Sequence, residues 1–467
     1  MKIIRIILWA VCFASLNIPA SAQNPQLWGM CTYGGTMNKG TIFKVNGDGT
    51  GFSTIFSFDS ISGSNPQGSL CLAPNNMLYG TANAGGSGNV GTVIKVNPSN
   101  NTVTKLLDFN FTNGAFPWGS FMLANNGKLY GGGINNLIEL NPANDQITSL
   151  HTFNNATEGN GFTDRFIQST LNGRLYGLLA YGGANSSGTI VSYNINTGQV
   201  IVEHHFAAAN GKTPYGSLYE ASNGMMYGMT RNGGQTDDGV LFMFNPANGN
   251  YTKLMDFNIT NGKWPWNSMI QVNSAKLYGL VSNGGSVGSG LVFSFDINTN
   301  VYNIEFNFNY MNTGALPWQS FIKASDSKLY ATLGLGGPNG NGVVFKFDYN
   351  TNTYTLVHSF IQAEGQNPNC DLVEVGATSS VPFLSANNQS KLKVWPNPSD
   401  GNFNFSSPDI TTKEIVFSLY DVNGKLIAQP LPVKNQNQLS LKVPAGIYRL
   451  NLISVNTQNS ALILINK

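Results

Sequence analysis

One short motif recurs through most of this 467-residue chain and sets its period. Leu-Tyr-Gly, or a close variant, begins at Leu27 (Leu-Trp-Gly), Leu78, Leu129, Leu175, Met226 (Met-Tyr-Gly), Leu277 and Leu329 (Leu-Tyr-Ala). The intervals are 51, 51, 46, 51, 51 and 52 residues. A fixed period of this length marks a repeat architecture, in which one unit cannot bury its apolar face alone and must stack on its neighbours.

Each unit holds four short β-like runs. In the second these are Ser69 to Ala73, Leu78 to Ala82, Gly91 to Val96 and Val103 to Phe109. Pro74-Asn75-Asn76, a loop with Gly85-Gly86, and Asn97 to Asn101 separate them. The runs are rich in Val, Ile, Leu, Phe and Tyr, and the gaps in Gly, Asn, Pro and Ser. Four antiparallel strands in about 50 residues is the arithmetic of a propeller blade. With strands named A to D from the inside, the chain enters at strand B of the first blade. The last A-type run, Cys370 to Val375, has no B strand after it. Seven A and seven B strands then close a seven-bladed β-propeller if that last strand joins the first blade, which leaves no free edges.

Charged residues are 10% of the chain and Gly contributes 53 residues, which argues for a folded all-β protein rather than a disordered polyelectrolyte. A formal net charge of +2, without a dense Lys/Arg run, gives no electrostatic case for nucleic acid or an anionic membrane. Residues 1–22 read as a secretory signal: Lys2 and Arg5, the apolar stretch Ile6 to Leu16, and Ala20-Ser21-Ala22 before Gln23. No later segment reaches transmembrane length. Cys12 leaves with the signal, so Cys31, Cys71 and Cys370 remain. Closure puts Cys31 and Cys370 in one composite blade, with Cys370 aligned beside Thr32. Either a disulfide or two buried free thiols follows, and Cys71 reads as core.

The run Gly-Gly, Gly-Thr-Val-Ile-Lys-Val, a strand ending in Phe, Asn-Gly, Pro and Leu-Tyr-Gly resembles the tandem GloVer repeat of bacterial surface and secreted proteins over residues 27–375. The third unit departs, with Gly131-Gly-Gly-Ile-Asn-Asn136 in place of a separate Gly-Gly loop. The resemblance implies an envelope-associated propeller and supplies no activity.

Residues 376–390 have linker composition, and the period then stops. Alternating strands after residue 391 suggest a small Ig-like β-sandwich. Pro396-Asn397-Pro398, Gly401, Asp421, Asn423-Gly424-Lys425 and Gly446-Ile447-Tyr448 resemble the type A sorting domain of the type IX secretion system, over 391–467. That resemblance implies a Gram-negative bacterium of the Bacteroidota type and the type IX machinery as partner. It also implies two-step export, ending in release or attachment at the outer-membrane surface.

Antiparallel strands place the D–A and B–C connections on one face of the propeller. Loops on a rigid scaffold are the usual place for binding, so this loop face is the candidate. The residue after the D–A proline, in ring order, is Asn369, Gln67, Trp118, Tyr215, Trp266 and Trp318, with Thr163 at the aligned position of the irregular unit between Trp118 and Tyr215. Four of these are aromatic, and Trp264 adds a fifth ring nearby. Such an arc either stacks on sugar rings or grips a peptide, or else wedges between blades as core. Catalytic signals are sparse. Asp164-Arg165 and Asp237-Asp238 are acids that face the mouth or are solvated loop charge. His151, His205 and His358 share a D-strand position before a terminal Phe. Asn46-Gly-Asp-Gly49 lacks the rest of a calcium loop. No catalytic residue, metal site or cofactor is assigned. The reading is a non-enzymatic surface or released propeller that binds glycan or protein. The alternatives are an enzyme acting on extracellular polysaccharide, marked by clustered carboxylates in the mouth, and a structural surface protein, marked by an apolar plug.

Overall fold

The repeated Leu-Tyr-Gly owes its three residue types to three different neighbours. Strand alternation sends Leu and Gly to one side of each blade and the aromatic residue to the other. Leu78 packs with Trp28, Met30 and Ile42 of the preceding blade. Tyr79 packs with Leu129, Ile138 and Leu140 of the following one. The same division holds at Leu277 and Tyr278, and at Leu329 and Tyr330. Trp28 and all six tyrosines are almost wholly buried. Each buried Leu or aromatic ring contributes about 2 kcal/mol by its removal from water. In the first, fifth and sixth blades the glycine lies under a strand-C phenylalanine, and in the second, third and fourth under Leu70, Phe121 and Phe166 of the inner segment. A Cβ on Gly228 would come within 2.4 Å of Phe242 Cζ, and one on Gly279 within 2.4 Å of Phe293 Cζ.

The computed structural model describes residues 24–376 and, beyond them, the strands between residues 393 and 465. The first part forms seven antiparallel sheets, one per blade. The B strands are Gln26–Cys31, Leu78–Ala82, Leu129–Gly131, Leu175–Tyr181, Met226–Thr230, Lys276–Val281 and Leu329–Leu333, numbered here as blades 1 to 7. Val373–Val375 pairs with Gln26–Cys31 in the register Trp28↔Val373, Leu27↔Glu374 and Gln26↔Val375, so chain end and chain start share blade 1 and close the ring. Every blade carries a register shift between strands C and D at the same height, for example between Ile42 and Phe43 and between Val344 and Phe345. A bulge there increases strand twist and bends the blade's outer edge.

Blade 4 is the irregular one. Two short pieces, Asn160–Phe162 and Ile167–Gln168, pair with opposite ends of Leu175–Tyr181. Between them Thr163 to Phe166 leaves the ladder, which releases Asp164 and Arg165 from strand pairing.

The chain divides into two compact units, with the break after Phe383. The second unit holds two antiparallel sheets. One joins Lys393–Trp395, Asn402–Ser406 and Gln438–Ser440, and the other joins Leu426–Val433, Ile415–Asp421, Gly446–Ser454 and Thr457–Ile465. Asp421 ends one strand; Gly446 and Tyr448 open another. Pro396, Asn397, Pro398, Gly401, Gly424 and Lys425 lie outside the described residues, as do the 1–22 leader and the expected linker beyond Gly376. Among the described residues no helix is long and apolar enough to cross a membrane.

Candidate functional site

Backbone strain recurs where each D–A connection enters the mouth. Asn65, Phe116, Thr213, Trp264, Leu316 and Asn367 each precede a proline and each has φ between 46° and 58°. For a non-glycine residue this conformation costs about 1–3 kcal/mol, and surrounding structure must hold it. The B–C loop of the preceding blade does so. The six N–H groups donate to the carbonyls of Lys39, Val90, Ser187, Asp238, Ser289 and Asn341, at 2.7–3.4 Å. Each D–A connection also bridges the next blade's B–C loop, as Ser64 does with Ala84 and Lys263 with Asn283. The two loop sets therefore share one face, and the clamped turn aims the residue after each proline at the axis.

Those residues converge. Gln67, Trp118, Thr163, Tyr215, Trp266, Trp318 and Asn369 line one central depression, with Asp164 and Gln319. Its free volume is only about 50 Å³, room for water but not for a buried sugar ring. Tyr215 is buried and the other six ring residues are half-buried. The aromatics are thus neither free paddles nor inter-blade core; they form the floor and wall of a shallow mouth.

The aromatic arc is continuous over blades 5 to 7. Tyr215 stacks on Trp266 with centroids 4.4 Å apart and planes 6° from parallel. Trp266 meets Trp318 at 6.4 Å. Tyr181 meets Tyr215 edge-on at 6.0 Å, and their hydroxyls are hydrogen-bonded. Trp264 stands apart from the central depression but joins the arc through Arg231. The Arg231 guanidinium lies 5.0 Å from the Trp266 ring centre, 5.2 Å from Trp264 and 6.0 Å from Tyr215. Trp118, on blade 3, lines the mouth separately from this stack.

Beneath the aromatic ring runs a belt two residues further along each chain segment: Ser69, Ser120, Arg165, Ser217, Ser268, Ser320 and Asp371. It stitches neighbouring blades. Ser69 N donates to Ser120 Oγ at 2.7 Å, Ser268 N to Ser320 Oγ at 2.9 Å, Ser320 N to Asp371 Oδ1 at 2.6 Å, and Asp371 N to Ser69 Oγ at 2.7 Å. Arg165 reaches from blade 4 to blade 1 and pairs with Asp371. Burial pushes the Asp164 carboxyl up to about 6, and the Asp371 charge adds to that rise against the pull of Arg165. Burial likewise pushes the Cys71 thiol up to about 12.

The remaining sequence candidates sit elsewhere or perform structural tasks. Asp237 accepts from Gly233 N at 2.7 Å, as Asn38 does from Gly34 and Asn89 from Gly85, and it pairs with Lys212 at 2.9 Å. It is a turn residue of the B–C loop. The histidine that shares a position with His151 and His358 is His204, not His205. Leu137↔His151, Ile190↔His204 and Val344↔His358 are equivalent pairs, each two residues before a buried Phe. Asp48 of Asn46-Gly-Asp-Gly49 accepts from Thr50 N at 2.9 Å and Thr50 Oγ1 at 2.7 Å, which makes the segment a hairpin turn.

Cys31 and Cys370 are both buried and unbridged in this structure. Cys31 packs with Leu27, Phe43 and Phe360 toward blade 7, and Cys370 with Trp28, Met30 and Leu70 toward blade 2. Met30 N donates to Cys370 Sγ at 3.0 Å. Cys370 Sγ also lies 3.0 Å from where a Cβ on Gly29 would stand, on the strand face that carries Leu27 and Cys31. Among the described residues no group of three or more His, Cys, Asp or Glu side chains gathers as a metal would require.

The repeats match the family described as the Gloeobacter/Verrucomicrobia repeat over residues 14–137, 132–274 and 167–381. The chain belongs to this repeat family. Residues 393–466 match the secretion system C-terminal sorting domain. The repeat protein is therefore exported by type IX secretion to the cell surface or the extracellular space. No curated relative matches the sequence. Among solved structures it is similar to a putative 6-phosphogluconolactonase of Bacteroides fragilis, with 13% identity, TM-score 0.53, and coverage of 76% of this chain and 99% of that one. A putative 6-phosphogluconolactonase of Bacteroides uniformis is similar at 14% identity and TM-score 0.53, over 76% of this chain and 100% of that one. At such identities the likeness shows the propeller fold alone.

Two features of the site were missed from sequence. The serine belt carries a signal, since Ser recurs three residues after the D–A proline in five blades: Ser69, Ser120, Ser217, Ser268 and Ser320. Arg231 carries none, because it lies in a B–C loop and meets the arc only through folding.

Proposed function

We propose that the exported propeller is a binding protein that recognises an extracellular glycan through its loop face. The observation that carries this reading is the continuous aromatic arc at the mouth, in which half-buried Trp266 and Trp318 lie side by side and buried Tyr215 stacks on Trp266. Aromatic faces held rigid on a scaffold present a platform for the C–H faces of sugar rings at low entropic cost. The small free volume suits a chain laid across the mouth better than a substrate enclosed within it. Trp118 would extend the platform on the far side and Trp264 its outer rim. We further read residues 1–22 as the cleaved leader, 376–390 as the linker, and the source as a bacterium of the Bacteroidota type.

An enzymatic reading has one observation in its favour, the raised Asp164 carboxyl in the mouth. Paired-carboxylate glycoside cleavage needs a second free acid. Here Asp371 is engaged by Arg165 and by Ser320 N.

The test is a glycan binding screen on the full-length protein beside the double variant Trp266→Ala, Trp318→Ala. Loss of about tenfold to a hundredfold in affinity at unchanged melting temperature supports the site. Equal binding by both proteins, or no glycan bound by the wild type, overturns it. Shortened polymer in the bound fraction would favour the enzyme instead.

A further inference from the structure

The aromatic arc has a charged edge. Arg231 is surrounded by Tyr215, Trp264 and Trp266 at 5.0–6.0 Å, and its Nε is buried without a hydrogen-bond partner. Its one side-chain bond is from Nη1 to Asn232 Oδ1, at 2.9 Å. The Lys263 ammonium lies 4.2 Å from the Trp264 ring centre. Among the described residues neither cation forms an ion pair, and the nearby Lys212 takes the carboxylate of Asp237. That carboxylate, in the same B–C loop as Arg231, also accepts from Gly233 N. Ring faces stabilise a cation but leave its charge uncancelled. Trp264, the ring shared by both cations, is held at φ 57° by its N–H to Asp238 O at 2.8 Å. The fold thus places two cations without ion-pair partners beside a stacked aromatic platform.

We propose that this edge selects acidic sugars: a polysaccharide whose carboxylate or sulfate meets Arg231 and Lys263 while its rings lie on Trp266 and Trp318. The proposal rests on the glycan-binding reading and names the substrate class for it. Guanidinium donors form charge-assisted bonds to planar anions, and Arg231 has no carboxylate partner among the described residues to give up. A neutral sugar would keep the stacking and forgo the charged bonds. The same edge gives a salt-dependent affinity, since both cations are half-exposed rather than in the core.

The experiment measures affinity of the full-length protein for polygalacturonate, its carboxyl-reduced counterpart, a sulfated galactan and polyglutamate. Wild type is expected to bind an acidic polymer about tenfold or more tightly than the carboxyl-reduced one, the worth of one charge-assisted bond. The ratio of polygalacturonate to sulfated galactan then reports which anion fits. Arg231→Gln with Lys263→Gln is expected to erase the preference, so that acidic and neutral polymers bind with equal affinity. Arg231→Lys should retain part of it. Equal wild-type affinity for acidic and neutral polymers overturns the acidic selectivity and leaves the binding reading standing. Absence of any glycan binding overturns both. Polyglutamate bound as tightly as polygalacturonate overturns the choice of a sugar.

Discussion

One buried and one half-buried ionisable side chain bias stability in opposite directions over one pH range. Asp164 is raised from 3.8 to about 6 by burial, so between those values the folded protein binds the proton that the unfolded chain releases. Its contribution favours folding at low pH and is lost as pH rises through about 6. His204 is held down from 6.5 to about 4 by burial, with its ring stacked on Tyr251 at 4.1 Å. It favours folding above its ordinary value and that contribution is lost as pH falls toward 4. The wild-type profile sums the two, so only a variant separates them. Asp164→Asn is expected to gain stability relative to wild type at pH 7 and to lose that advantage by pH 4. Melting temperatures of both proteins across this range check it; parallel profiles would mean that Asp164 keeps an ordinary titration in the fold.

At the scale of the strand, most of the design was legible because each blade repeats it. The Leu and Tyr of the motif recur at the same height in every blade, so period alone revealed the strands, their number and the closure of the ring. The mouth residues were legible for the same reason, one per D–A connection. The irregular blade was not, since its two-piece inner strand depends on pairing of Asn160 with Tyr181 and Ile167 with Tyr176, which no local pattern announces. Nor was the state of Cys31 and Cys370, because neighbouring strands admit either two thiols or a bridge, and only the distance and direction of the Cβ atoms decide between them. The glycine of the motif supports a prediction about elements. Blade 7 already carries Ala331 opposite Phe345, so a methyl group fits once the ring shifts. Gly228→Ala should therefore cost little, whereas Gly228→Val, set against Phe242 and Leu218, should cost about 1–3 kcal/mol by overpacking. Urea denaturation of the two variants checks the order; equal costs would mean that Phe242 does not limit the site.

The whole molecule is closed by three paired residues at its chain ends and by one ion pair across the ring. Asp371 and Arg165 are 206 residues apart in sequence, and both belong to the belt that stitches blade to blade. Arg165 is flanked by two buried acids, Asp164 and Asp371, and its charge is what allows Asp371 to lie only 3% exposed. Truncating one partner of such a pair leaves an uncompensated buried charge, at a cost of about 3–5 kcal/mol. Arg165→Met removes the cation and keeps both acids, so the two carboxyls then face each other without a counter-charge. Like charges raise each other's proton affinity, and one acid must take up a proton for the ring to close. The destabilisation should therefore be large at pH 8 and shrink as pH falls toward 5. In Arg165→Met combined with Asp371→Asn the pH dependence should weaken without vanishing, because Asp164 loses its charged neighbour but keeps its burial. Chemical denaturation of the single and double variants at both pH values measures this directly. A single variant equally destabilised at pH 5 and pH 8 would show that Arg165 holds the ring by packing rather than by charge.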